Sequence, residues 1–223
     1  MNLTSVTRNV AEHLRIKIIT GELKSGQRLN EIQLAEQLGI SRPPLREAFR
    51  ILENAQLVKN IPRKGTFVTE ISMKTFEEIY AARRMMECFA IQLLQEQNNR
   101  NPSGLREALA AASLAPKPLP GDTETLLEFW KMLSAFHVIL VESCENVLLA
   151  NFYNVISDNL ARIQFLYLQI PGSVEDSIED HRQVLHLIET GNYDQAREVL
   201  KKHLDKTFSS LHAEALKDAQ AIG

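Results

Sequence analysis

The sequence predicts a mainly α-helical chain with one small β-hairpin, and three observations carry that expectation. Apolar residues recur at helical spacing along almost all of its 223 residues. β-prone residues cluster only in VKNIPRKGTFVTE, residues 58–70. A shift in charge near residue 70 splits the chain: residues 1–70 hold 11 Lys or Arg and 7 Asp or Glu, net +4, whereas the remainder holds 14 and 21, net −7. A basic N-terminal module joined to an acidic one suits an anionic partner for the first module only.

Val6, Val10, Leu14 and Ile18 fall on one face of a first helix that Gly21 stops. After the turn KSGQRL, Asn30 is placed to cap a short helix with Gln33 three residues on. Leu34, Ala35 and Leu38 are its apolar side, and Gly39 ends it. Ser41 then caps a third helix, with Pro43 and Pro44 in its first turn, where backbone amides have no intrahelical partner. Two helices therefore meet across LGIS. Beyond Leu57, two short strands around Pro62, Arg63, Lys64 and Gly65 read as a hairpin with a basic tip. Helix, helix, turn, helix, hairpin is the order of a winged helix-turn-helix.

From Ser72 onward no strand signal remains. Helices are expected near 73–98, 104–113, 123–143, 146–168, 174–190 and 193–218, broken by NPSG, APKPLPGD, the Cys144–Asn146 region, PGS and Gly191-Asn192. The expected domains are a winged helix-turn-helix over 1–70 and an all-helical bundle over 71–223. No apolar run approaches the roughly 20 residues of a membrane span, and the N-terminus lacks a signal-peptide core. A cytoplasmic protein without a membrane partner is expected. Cys88 and Cys144 lack metal-type spacing and read as reduced, buried structural residues.

The third helix, SRPPLREAFRIL, is the informative one. At about 100° per residue Arg42, Arg46 and Arg50 keep to one stripe, while Leu45, Ala48, Phe49 and Leu52 form another. A helix-turn-helix lays this helix in the major groove with its first residues toward base edges. A guanidinium can fork onto guanine O6 and N7 or onto a phosphate, so Arg42 and Arg46 suit base readout and Arg50 suits backbone. The Ser41 hydroxyl and the first free amides suit a phosphate, and Lys64 beside Gly65 at the wing tip can reach a minor groove. The bland alternative is a solvated basic face paired to Glu47 and Glu53.

NEIQLAEQLGISRPPLREAFRILENAQLV followed by RKGTFV resembles the DNA-binding domain of GntR-type bacterial transcriptional regulators, over most of residues 8–69. The second half, with ARRMMECFAIQLL, SAFHVILVESCENVLL, EDHRQVLHLIETGNYDQA and KKHL, resembles the helical effector domain (FCD) of the FadR subgroup in its shorter, six-helix form. The resemblance implies a homodimeric, effector-responsive regulator of a double-stranded DNA operator. Pro43-Pro44 stands where the family often has Thr-Pro, removing one hydroxyl from the phosphate side.

The family pattern singles out His137, His181 and His203, one on each of three helices, as ligands of a divalent metal, and joins to them an aspartate one turn before the first histidine. Here that position is Leu133, so the set is incomplete; Glu142 points about 140° away from His137 and cannot substitute. Zinc or nickel suits imidazole better than magnesium or calcium. Three neutral imidazoles leave the ion its full +2 charge and an open position, which favours a carboxylate effector. Without metal the histidines would form a polar pocket titrating near neutral pH. Arg83 matches the arginine of the family's R-x-x-x-E stretch, with Glu87 as its glutamate; it either aims into the effector cavity or pairs with Glu87 along the helix. His13, His186 and His212 match nothing.

The leading reading is a sequence-specific transcriptional regulator controlled by a small carboxylate. Two others stand beside it: an architectural DNA-binding dimer without effector, and a three-His metal-dependent hydrolase. The hydrolase lacks a matched general acid or base and leaves the arginine helix unexplained.

Overall fold

The computed structural model describes residues 3–102, 104–119 and 121–221. The chain divides into two compact units. One comprises Met1–Phe76 with Val155–Arg162, the other Glu77–Asn154 with Ile163–Gly223.

The first unit contains α1 (Leu3–Ile19), β1 (Arg28–Leu29), α2 (Glu31–Gln37), α3 (Arg42–Asn54), β2 (Val58–Ile61) and β3 (Gly65–Val68). The apolar stripe of α1 meets that of α3, burying Leu14, Ile18, Leu45, Ala48 and Leu52 in one core. Full burial of a Leu or Ile stabilises by about 1.5–3 kcal/mol, so this seam holds α3 rigidly with its arginine side outward. Asn30 caps α2 as expected, its Oδ1 accepting from the amides of Ile32 at 3.0 Å and Gln33 at 3.2 Å. Gly39 closes that helix at φ 62°, a left-handed conformation that lets the Ile40 amide return to the Ala35 carbonyl at 3.0 Å.

The wing is larger than expected. β2 and β3 form the hairpin, with Val58 opposite Val68 and Ile61 opposite Gly65, but β1 adds a third antiparallel strand in the order β1-β3-β2. Two residues are too few to show alternation in sequence, and only pairing with β3 makes them a strand. Two turns near the middle of the long helix α7 (Val147–Leu168) also belong to this unit. Arg15 Nε donates to Asp158 at 2.6 Å, and Arg162 donates to the Thr69 carbonyl at 2.9 Å and Ser25 Oγ at 2.8 Å.

The second unit is built from α4 (Met73–Glu96), α5 (Leu105–Leu114), α6 (Thr123–Glu142), the remainder of α7, α8 (Ser173–Glu189) and α9 (Tyr193–Ala221). Helical periodicity over long apolar segments placed all six to within a few residues. The buried face of α6 runs through Phe129, Trp130, Leu133, Phe136, His137 and Leu140, so one histidine sits within an otherwise apolar stripe. Among the described residues no helix is long and apolar enough to cross a membrane. Cys144 is buried and donates to the Val141 carbonyl; Cys88 is only half-buried, and burial still pushes its thiol up to about 11.

Candidate nucleic-acid interface and histidine centre

On α3, Arg42 and Arg46 stand one turn apart with side chains 52% and 59% exposed, and both point to a single acceptor. Glu31, the first residue of α2, accepts from Nε of each at 2.7 Å through the same oxygen, Oε1. Burial pushes the Glu31 carboxyl up, but the two guanidiniums beside it outweigh that and hold it below the usual carboxylate range. Arg50 pairs with Glu47 at 3.1 Å. The alternative pairing of this face with Glu47 and Glu53 therefore describes Arg50 alone; Glu53 accepts from the Asn60 amide instead, at 2.9 Å.

Ser41 occupies the N-cap position of α3 but makes no side-chain cap hydrogen bond among the described residues. The reason lies in the next residues. A capping hydroxyl accepts from the amides two and three positions on, which here are Pro43 and Pro44 and carry no N–H. The expectation that Ser41 caps the helix fails on this chemistry, and so does the expectation of several free amides at its start. The hydroxyl is left without a helix donor.

The wing tip is set by backbone conformation. Arg63 at φ 64° and Gly65 at φ 107° turn the chain between β2 and β3, and the Lys64 amide donates to the Ile61 carbonyl at 3.0 Å. At φ 107° a side chain at residue 65 would be strained, so only glycine suits the position.

In the second unit, α6, α8 and α9 bring His137, His181 and His203 together. All three are buried, and one ligand nitrogen from each lies within 4.8 Å of the others. His137 Nε2 and His181 Nε2 are 3.0 Å apart. The ring of His181 stacks on Phe136 at 4.1 Å, fixing its plane. Carboxylates stand behind two of the three rings: Glu87 Oε2 is 2.9 Å from His137 Nδ1, and Asp180 Oδ2 is 3.0 Å from His203 Nδ1. Each carboxylate suits a proton on Nδ1, which would leave Nε2 as the lone-pair nitrogen, the arrangement of ligating histidines. Nitrogens about 2.1 Å from a tetrahedral ion stand about 3.4 Å apart, so the set would hold a divalent metal after closing by up to about 1.4 Å.

His137 and His181 are held below the neutral range, contrary to the expectation of a pocket titrating near neutral pH. Burial pushes His137 down, with Arg83 adding to it, to about 4, and burial pushes His181 well below its usual value. Neutral imidazole is the form that binds metal. His13 and His186 are exposed, and His212 is half-buried beside Phe208.

The cavity beside the histidines measures about 20 Å³, with Arg83, Trp130 and Leu133 in its lining. That is room for one water or one ion. Leu133 is buried and contributes an apolar wall where a ligating carboxylate would stand. Arg83 pairs with Glu87 along the helix and also lines this cavity. Its Nε donates to Glu87 Oε1 at 2.7 Å, while Nη2, also buried, has no partner among the described residues.

Glu87 is the residue that sequence reasoning undervalued. Its Oε1 accepts from both Arg83 and the Tyr153 hydroxyl, each at 2.7 Å, while Oε2 meets His137. Burial pushes its carboxyl up, yet Arg83 and His137 reverse this and hold it far below the usual range. Its spacing from Arg83 was visible in sequence; its reach to His137, 50 residues on, and Tyr153, 66 residues on, was not. Asp180 and Glu31 were missed likewise.

The fold and these two sites define a winged-helix DNA-binding regulator with a helical ligand-sensing domain. Residues 6–68 match the gntR family of bacterial regulatory proteins, and residues 78–206 match the FCD domain. The chain belongs to the GntR family of transcriptional regulators, in the group carrying an FCD domain. It is similar to the HTH-type transcriptional regulator YdhC of Bacillus subtilis, 29% identical over 86% of this chain and 84% of that one. It is also similar to the gluconate operon transcriptional repressor of Bacillus licheniformis, 28% identical over 91% and 79% respectively. A structure from Rhodococcus sp. RHA1 shares the fold with a TM-score of 0.73 at 24% identity, over 94% of this chain and 98% of that one. The assignment makes the protein a transcriptional regulator and not the three-His hydrolase. Its gntR domain binds DNA and its FCD domain takes a small-molecule effector.

Proposed function

We propose that the protein is a cytoplasmic homodimer that binds a pseudo-palindromic operator through a domain spanning residues 1–70 and releases or engages it in response to a small carboxylate held by residues 71–223. Arg42 and Arg46 read base edges, Arg50 and Ser41 hold phosphate, and Lys64 with Gly65 at the wing tip enters the neighbouring groove. The observation that carries the DNA reading is the outward stripe of α3 arginines. The Ser41 hydroxyl, relieved of capping by the two prolines, supports its phosphate role.

His137, His181 and His203 would hold zinc or nickel, with Glu87 and Asp180 orienting two of the rings. Such an ion supplies an open position for an anionic oxygen donor. Arg83 Nη2 is the second anchor for the effector's carboxylate. Glu87 cancels the formal charge of Arg83, so the attraction for an anion rests on the ion, and on Nη2 as a donor. The 20 Å³ cavity has room for one ion or one water and none for a carboxylate besides, so any effector must displace the Leu133 and Trp130 wall. A carboxylate agrees with the relative named for a gluconate operon.

Dimerisation by the helical half is supported by exposed apolar side chains: Val147, Leu148 and Phe152 on α7, and Met85 with Phe89 one turn apart on α4. Two measurements test the whole. Selection of a randomised duplex pool with full-length protein should return an inverted repeat; no enriched motif would favour the architectural reading. Native mass spectrometry of protein as purified should report a dimer carrying one metal per subunit, and a metal-free monomer would reject both claims.

A further inference from the structure

Glu31 has a geometry that the DNA-reading role of α3 leaves unexplained. Its backbone is fixed as the first residue of α2 beside the Asn30 cap, and its side chain is 26% exposed. One oxygen, Oε1, accepts from Arg42 Nε and Arg46 Nε, both at 2.7 Å. These bonds use the inner N–H of each guanidinium. The terminal nitrogens, which fork onto guanine O6 and N7, have no hydrogen bond among the described residues. A carboxylate at Nε therefore does not compete with a base. It sets the plane and direction of each fork, and because one oxygen serves both, the two arginines are held in register. Its negative charge also lies beside the face that meets phosphates, where it opposes the attraction that any DNA sequence exerts on two arginines.

We propose that Glu31 is a positioning residue for operator discrimination, which aligns the Arg42 and Arg46 forks toward base edges and weakens the binding of DNA lacking the operator. The proposal rests on the reading of Arg42 and Arg46 as base contacts. Discrimination by a forked contact depends on both of its hydrogen bonds meeting one base. An arginine free to swing meets phosphates equally well and loses that preference. Glu31 reverses this balance by restricting the swing and by reducing the charge.

The experiment compares full-length wild type with Glu31→Ala and Glu31→Gln on two probes: the duplex enriched by wild type from a randomised pool, and a duplex of equal length lacking the motif. Glu31→Ala should bind the second duplex more tightly, lower the ratio of the two affinities by roughly threefold to tenfold, and relax base preference at the two arginine-read positions together. Glu31→Gln keeps an acceptor oxygen without the charge; it should retain more of the base preference while binding the second duplex as Glu31→Ala does. In an Arg42→Ala/Arg46→Ala background, adding Glu31→Ala should change both duplexes by the same factor. An equal gain on both duplexes in the wild-type background would show a charge effect alone and overturn the proposal, as would no change on either. Unaltered base preference in Arg42→Ala and Arg46→Ala themselves would overturn the reading of those arginines, an outcome separable because it appears with Glu31 intact.

Discussion

The two units each hold an arginine–glutamate pairing through Nε and Oε1 at 2.7 Å, and the two pairings have opposite surroundings. Glu31 meets Arg42 and Arg46 at the surface, whereas Glu87 meets Arg83 with side chains 0% and 1% exposed. Water screens the surface group and competes for it, so each of its bonds contributes about 1 kcal/mol or less. Burial removes that competition. Breaking the inner pair strands a charge in an apolar interior, so Arg83 and Glu87 stay together, and Arg83 Nη2 has no hydrogen-bond partner among the described residues. Identical contact geometry therefore makes a water-competed surface pair in one unit and a fixed frame in the other.

The comparison breaks most visibly at Glu87. Glu87→Ala should lose about 3–5 kcal/mol of unfolding free energy in urea titrations, because Arg83 is left buried without its partner. A loss no larger than that of a surface pair would erase the distinction. Metal comes next. Protein stripped by chelation should melt lower, and zinc or nickel at about 100 times its Kd should restore about 2.7 kcal/mol, read by calorimetry. His203→Ala should abolish that gain, and a gain unchanged in the variant would place the ion elsewhere.

The exposed unit has smaller effects, and they fall on binding. Arg46→Ala should cost about 1–3 kcal/mol of operator affinity and relax one base position, whereas Lys64→Ala should weaken all duplexes alike and lower the salt slope by about one unit. Equal effects of the two on operator and random DNA would end the division between base and phosphate contacts. The smallest change is expected at Glu47, the partner of Arg50. Glu47→Gln should shift stability by about 0.5 kcal/mol or less, and a larger loss would mean that the surface pairs are not exchangeable.

The helices, their caps and the arginine stripe were legible because each is written within a few neighbouring residues: the 3.6-residue period, Asn30 before α2, Gly39 after it, and Arg42, Arg46 and Arg50 four apart. The failed cap at Ser41 was legible too, since it needs only the knowledge that Pro43 and Pro44 lack N–H. The three histidines stood out through family resemblance, and nothing local marked them as one group.

What the sequence determined by itself was thus local: which segments are helical, where they stop, and which side chains share a face. Tertiary structure decided which faces meet. It paired β1 with β3, brought Glu31 across 11 and 15 residues to Arg42 and Arg46, and closed Glu87 onto His137 and Tyr153. It also set the charge state of His137 and His181, because burial among packed helices, and not residue type, pushes them below neutral pH. Periodicity records the direction of a side chain from its own helix but carries no information about what stands opposite. Distances, desolvation and ion pairing depend on that opposite face, and they exist only once the chain has packed.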